Sequence, residues 1–298
     1  MLVIAAGSGT AAAGERVVGI TPVGRSESLP ATLLTPDGKG PFPAIVMLHD
    51  CSGLGPRSSG APRRWADELL AQGFVVILPD SFGPRDLPNG ICTEDPARSR
   101  AAGPLVRAAD AYGALAYLRA LPEVDGKRVG VMGGSHGGFS TLAIMYVQID
   151  RNNPLGHAKR DGFAAAIALY PACGSRFGTW IVHREDGNRG LITGYSGAYQ
   201  PIAPLLILIG EADDWTPAEP CIRLAEASQA AGYPVEIKVY PGAHHSFDSN
   251  APKRFVGARN NINTPGGKGA TTSGQAEAWA DAKRQVASFF ARHLKGRR

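Results

Sequence analysis

The chain has 298 residues, 44% of them hydrophobic and 19% charged, with a formal net charge of +5. That composition supports one large buried core and excludes a disordered, collagen-like or low-complexity chain. Lys and Arg are scattered apart from Lys295-Gly296-Arg297-Arg298, so no basic face for nucleic acid is expected.

Residues 1–15 read as a flexible tail or the remnant of an export signal. Leu2 to Ala6 is apolar and Ala11-Ala12-Ala13 is a small-residue tract, but no basic segment precedes them. Gly7-Ser8-Gly9-Thr10 belongs to that tail. A periplasmic or secreted location is favoured over a cytoplasmic one. No apolar run reaches the roughly 18 residues of a membrane-spanning helix.

Residues 16–298 read as a single domain. Arg16 to Val23 and Ser28 to Leu34 alternate weakly and suggest an antiparallel entry to a sheet. From residue 40 onward, apolar runs alternate with helical patterns. Strands are expected at 43–49, 74–79, 127–133, 163–170, 204–209 and 235–240. Helices are expected at 63–72, 100–121, 137–148, 219–231 and 276–294. Short strands that are apolar throughout, separated by helices, predict a mostly parallel sheet covered on both faces. Two segments, about 174–203 and 250–274, fit no element and read as long loop insertions beside the site.

The four cysteines, Cys51, Cys92, Cys173 and Cys221, lack C-x-x-C spacing and a histidine at ligand distance, so no zinc site is expected. Two disulfides, Cys173–Cys221 and Cys51–Cys92, compete with four free thiols. Cys173–Cys221 is the favoured pair, because both lie just past the ends of strands expected side by side.

The strongest chemical signal is Gly133-Gly134-Ser135-His136-Gly137-Gly138 between a predicted strand and a predicted helix. This is the G-x-S-x-G pattern of a nucleophile elbow in the context it needs. A phosphate-binding turn is the rival. It is weakened because no G-x-G-x-x-G follows the first strand and no Lys-Ser/Thr follows the glycines. A serine hydroxyl is a poor nucleophile without a base, and the base needs an orienting acid. Both are present in the chain order Ser, acid, His. Gly210-Glu211-Ala212-Asp213-Asp214-Trp215-Thr216-Pro217 follows one strand, and Tyr240-Pro241-Gly242-Ala243-His244-His245-Ser246-Phe247 ends the next. Local reasoning leaves Asp213 against Asp214, and His244 against His245, open.

From about residue 40 to 250 the chain resembles the dienelactone hydrolase family of α/β-hydrolases, within the wider group that includes prolyl-oligopeptidase-type enzymes. That family's G-x-x-D-x-x-V-P motif maps onto Gly210, Asp213 and Pro217, with Thr216 in place of Val. Its G-H-S-F motif maps onto His244-His245-Ser246-Phe247. The resemblance implies an α/β-hydrolase fold and a Ser135, Asp213, His245 triad. It implies an oxyanion hole formed by the N–H groups of Cys51 and His136. Two departures stand out. The nucleophile is Ser rather than the Cys of dienelactone hydrolase itself, and Asp248-Ser249 stands where an Arg helps hold a substrate carboxylate.

The expected activity is cleavage of small carboxylic esters or lactones without cofactor or metal. The alternatives are a small peptidase or acyl-peptide hydrolase, and a non-catalytic binding protein on a hydrolase scaffold. Peptidase relatives usually carry a propeller domain for which this chain has no room. Asp50, Arg85 and Trp215 are candidates for substrate contact. Arg85 has a second reading, as the residue that ties down its own loop, and Trp180 is a weaker candidate for the pocket wall.

Overall fold

The computed structural model describes residues 14–146, 156, 161–186 and 190–296. The tail at 1–13 and the end of the helix expected to reach residue 148 lie outside these residues.

The central sheet has eight strands. In chain order they are β1 (Gly14–Ile20), β2 (Leu29–Thr35), β3 (Phe42–Leu48), β4 (Val75–Pro79), β5 (Val124–Gly134), β6 (Ala165–Leu169), β9 (Leu205–Gly210) and β10 (Val235–Tyr240). Between β6 and β9 lie β7 (Ile181–Arg184) and β8 (Ile192–Ser196). Across the sheet the order is β1-β2-β4-β3-β5-β6-β9-β10. The pairs β1–β2 and β2–β4 are antiparallel and the rest are parallel. The order follows from the residues. Strands β4, β6 and β9 are buried at every position, as central parallel strands must be. The edges alternate or are exposed, in β10 (VEIKVY) and β1 (GERVVGI).

The helices are α1 (Ala61–Ala71), α2 (Pro96–Ser99), α3 (Pro104–Arg119), α4 (His136–Met145), α5 (Ala218–Ala230) and α6 (Ala276–Phe290), the last continued by a π-helical turn at Ala291–Lys295. They cover both faces. Residues three apart in a strand point to opposite sides. A side chain at Gly130 of β5 would meet Phe290 and Leu294, whereas one at Gly133 would meet Gly137 of α4. Helices α1 and α6 meet edge to face through Trp65 and Trp279, ring centroids 4.6 Å apart.

Three expectations needed correction. The helix expected from residue 100 begins at Pro104, because Gly103 is extended and proline favours the first helical turn. Residues 96–102 form a short helix and a 3-10 turn instead. The two supposed loops are hairpins. The first is β7–β8, and the second pairs β11 (Arg254–Asn260) with β12 (Lys268–Thr272). Both lack an apolar face of period two because they are half exposed and held by polar contacts, so periodicity could not find them.

Candidate active site

Six loops meet at the C-terminal ends of the parallel strands, where open α/β sheets place their ligands. Ser135 sits between β5 and α4 with φ 54° and ψ −117°, a strained conformation for a residue with a Cβ. The flanking glycines permit it. A Cβ on Gly137 would lie 2.4 Å from Leu48 O, and one on Gly133 would lie 2.6 Å from the Gly137 backbone.

His245, after β10, places Nε2 2.9 Å from Ser135 Oγ. Its Nδ1 lies 2.7 Å from Asp213 Oδ2, after β9. All three side chains are buried. The other carboxylate oxygen, Asp213 Oδ1, accepts the N–H groups of Trp215 and Thr216, each at 2.9 Å. Asp213 is therefore held as an acceptor, which leaves the imidazole proton on Nδ1 and the Nε2 lone pair facing the serine. The Tyr170 and Trp215 rings flank the imidazole, with centroids 4.7 and 4.8 Å away.

The neighbouring acid does other work. Asp214 accepts the Thr271 N–H at 2.8 Å and its hydroxyl at 2.6 Å, fixing β12. His244 Nδ1 is buried without a partner among the described residues. Thr216, noted in sequence only as a replacement for Val, brings its hydroxyl within 3.0 Å of both Asp213 Oδ2 and His245 Nδ1.

Cys51 follows β3, and its disulfide to Cys92 pins the loop. The second disulfide is Cys173–Cys221. The loop's own bonds use the Ser52 and Gly53 N–H groups, both directed at Asp50. The Cys51 N–H takes no part in them. His136 opens α4, so its N–H has no intrahelical acceptor. Both lie on the wall of a cavity of about 400 Å³ above Ser135. The wall is mainly apolar, with Ile91, Phe139, Trp215 and Ile262. Arg100 and Arg184 also line it, and among the described residues no Asp or Glu does. The β11–β12 hairpin roofs it: Trp215 Nε1 donates to Asn260 O at 2.7 Å, and Asn263 Nδ2 to Trp215 O at 2.9 Å.

Two residues expected at the substrate face their own loops instead. Asp50 accepts from the Ser52 N–H and from the Ser52 and Ser59 hydroxyls, so its carboxylate braces the β3–α1 loop. Arg85 makes a two-pronged pair with buried Asp110, at 2.7 and 2.9 Å, and also donates to Ser81 O. A guanidinium so engaged anchors a loop to α3 and leaves no fork for a ligand. Trp180 is buried, donates to Cys173 O and stacks on Tyr195, away from the cavity.

Asp248 stands where the resemblance places an arginine. It is fully buried and accepts from Trp65 Nε1 at 2.6 Å and from the Tyr170 hydroxyl at 3.0 Å. Burial pushes its carboxyl above the usual aspartate range. It clamps the histidine loop to α1 and to the end of β6. Asp248→Ala should leave two buried donors unpaired and cost about 2–4 kcal/mol by urea denaturation. A loss below about 1 kcal/mol would mean that water replaces the carboxylate there.

His49 gives a pH dependence. Its Nδ1 lies 2.9 Å from Asp50 O, and Nε2 accepts the Ser81 N–H at 3.2 Å. Burial, and then the Arg107 charge, hold it well below the usual histidine range. The folded state therefore keeps the ring neutral, while the unfolded chain protonates below about pH 6.5. The stability is fully present above that pH and is lost as pH falls, by up to about 1.4 kcal/mol per unit for this group. The urea midpoint should drop between about pH 7.5 and about pH 5.5, and a midpoint that holds would contradict a neutral ring.

A histidine bridging a serine and an aspartate at the strand ends of a mostly parallel α/β sheet has the arrangement of a hydrolytic triad. The chain belongs to the dienelactone hydrolase family, whose sequence profile matches residues 29–294. A protein of Methylorubrum extorquens described as a carboxymethylenebutenolidase is 24% identical over 235 residues, which is 74% of this chain and 69% of the relative. Dipeptidyl-peptidase 5 of Porphyromonas gingivalis is 26% identical over 226 residues, 68% of this chain and 30% of that protein. The structure of Thermogutta terrifontis esterase 2 phosphoramylated by tabun matches with a TM-score of 0.59 at 17% identity, covering 93% of this chain and 94% of the esterase. At that identity the likeness speaks to the fold.

Proposed function

We propose that the protein hydrolyses carboxylic ester or lactone bonds of small substrates through an acyl-enzyme. The observation that carries this reading is the continuous relay from Asp213 through His245 to Ser135, at 2.7 and 2.9 Å. His245 takes the Ser135 proton as the hydroxyl oxygen attacks the carbonyl carbon. The Cys51 and His136 N–H groups hold the oxyanion, and α4 adds its positive end. The protonated imidazole returns its proton to the leaving alcohol. Water then attacks the acyl-enzyme with His245 again as base. Residues 16–298 act as one catalytic unit in this reading. The apolar cavity suits an ester with an apolar body, and Arg100 and Arg184 suit an acidic group at its edge. The two disulfides favour an oxidising compartment, periplasmic or extracellular. Among the described residues no helix is long and apolar enough to cross a membrane.

The similarity to a dipeptidyl-peptidase supports a second reading, as a small peptidase. Parallel assays with p-nitrophenyl esters and peptidyl p-nitroanilides separate the two. We expect ester cleavage and stoichiometric labelling by a fluorophosphonate, with amide cleavage no higher than in the Ser135→Ala protein. Efficient amide cleavage would move the assignment to the peptidase. Absence of labelling would favour a binding protein.

A further inference from the structure

Arg107 is fully buried on α3, where desolvating a guanidinium is costly. No carboxylate lies within ion-pair distance of it among the described residues. The nearby Asp110 is already bound on both oxygens by Arg85. Arg107 instead spans two segments. Its Nη2 donates to His49 O at 2.7 Å, and its Nη1 lies 2.8 Å from His136 Nδ1. A guanidinium has no lone pair, so Nδ1 accepts and the His136 proton resides on Nε2. The face of Phe82 backs the guanidinium at 5.2 Å. That ring also packs edge-on against His49, centroids 4.4 Å apart.

The two acceptors sit at informative places. His49 is two residues before Cys51, at the end of β3. His136 follows Ser135, at the end of β5. One planar cation therefore bridges the residues that carry, or lead into, the two N–H groups assigned to the oxyanion. Its charge lies behind them in a region of low polarity, where it favours negative charge on the substrate oxygen.

We propose that Arg107 is a positioning residue of the oxyanion hole, setting the spacing of the Cys51 and His136 N–H groups through His49 O and His136 Nδ1. The inference rests on the Ser135 hydrolase reading. It predicts an effect on the transition state rather than on substrate binding. A lysine at 107 keeps the charge but loses the fork that reaches both acceptors.

Arg107→Lys should lower kcat, per site titrated with fluorophosphonate, by about 10²-fold with KM nearly unchanged. The inhibition constant of an aryl trifluoromethyl ketone, which forms a hemiketal oxyanion on Ser135, should rise by a similar factor. A purely structural arginine would lower the titrated fraction and the melting temperature and leave both quantities unchanged per active site. That result overturns the proposal. His136→Leu removes one acceptor from the other side and serves if the Arg107 variant does not fold. An unchanged ketone inhibition constant in that protein also overturns it. If the wild-type protein takes no fluorophosphonate, the hydrolase reading itself has failed, and the two failures are thereby distinguished.

Discussion

Ser135→Ala should abolish turnover of p-nitrophenyl acetate, lowering kcat by on the order of 10⁴–10⁶, with the melting transition essentially unmoved. The change removes one oxygen, which hydrogen-bonds His245 Nε2 at 2.9 Å. Nothing else in the site depends on it. The strained backbone at φ 54° is set by the close approach of β5 and α4, and alanine tolerates it no worse than serine. Asp213 keeps its grip on the other side of the imidazole. Lost activity with an intact fold would therefore report the nucleophile alone. Unchanged turnover would remove Ser135 from the mechanism.

Breaking the disulfides should have the largest effect on stability. Cys51–Cys92 and Cys173–Cys221 close loops of 41 and 48 residues. Loop-closure entropy puts each at about 4 kcal/mol, a large part of the roughly 5–15 kcal/mol that holds a typical domain together. Cys173→Ser with Cys221→Ser should lower unfolding free energy by about that amount. The Cys51–Cys92 pair should do so and also lower activity, because Cys51 contributes its N–H to the proposed oxyanion hole and Ile91 N–H is bonded to Cys51 O at 2.6 Å. In the unreduced, denatured protein a thiol reagent should find no free thiol. Four titratable thiols and no response to reductant would discard both bridges, and with them the argument for an oxidising compartment.

The fold and the centre of the site were legible for different reasons. The parallel strands were found because burial on both faces leaves continuous apolar runs such as AIVML and LLILI. Ser135 was found because the elbow is local: three glycines or small residues within two positions must clear one tight turn. Asp213 and His245 were placed by motif similarity, since adjacent pairs of like residues carry no local sign of which one faces inward. The neighbour Asp214 turns away for a tertiary reason, to hold Thr271 of β12.

Arg85 and Asp50 show where such reasoning stops. A charged residue at a strand end reads the same whether it meets a ligand or its own scaffold. Here Arg85 meets Asp110, 25 residues away on α3, and Asp50 meets Ser59 across its loop. Arg107 carried no signal of its role, Tyr170 read only as the end of a strand, and the β11–β12 hairpin read only as an insertion beside the site.

By itself the sequence determined the α/β class, the strand-turn-helix that presents Ser135, and the chain order of serine, acid and histidine. These depend on residues close together in the chain, where periodicity and sterics act directly. Tertiary structure decided the contacts by which Asp213 and His245, chosen in the sequence only through motif similarity, reach the serine, what lies behind the oxyanion walls and what roofs the cavity. Those depend on contacts across as many as 110 residues, such as Ser135 with His245. Such pairings follow from how the sheet is ordered and packed, and no local pattern encodes them.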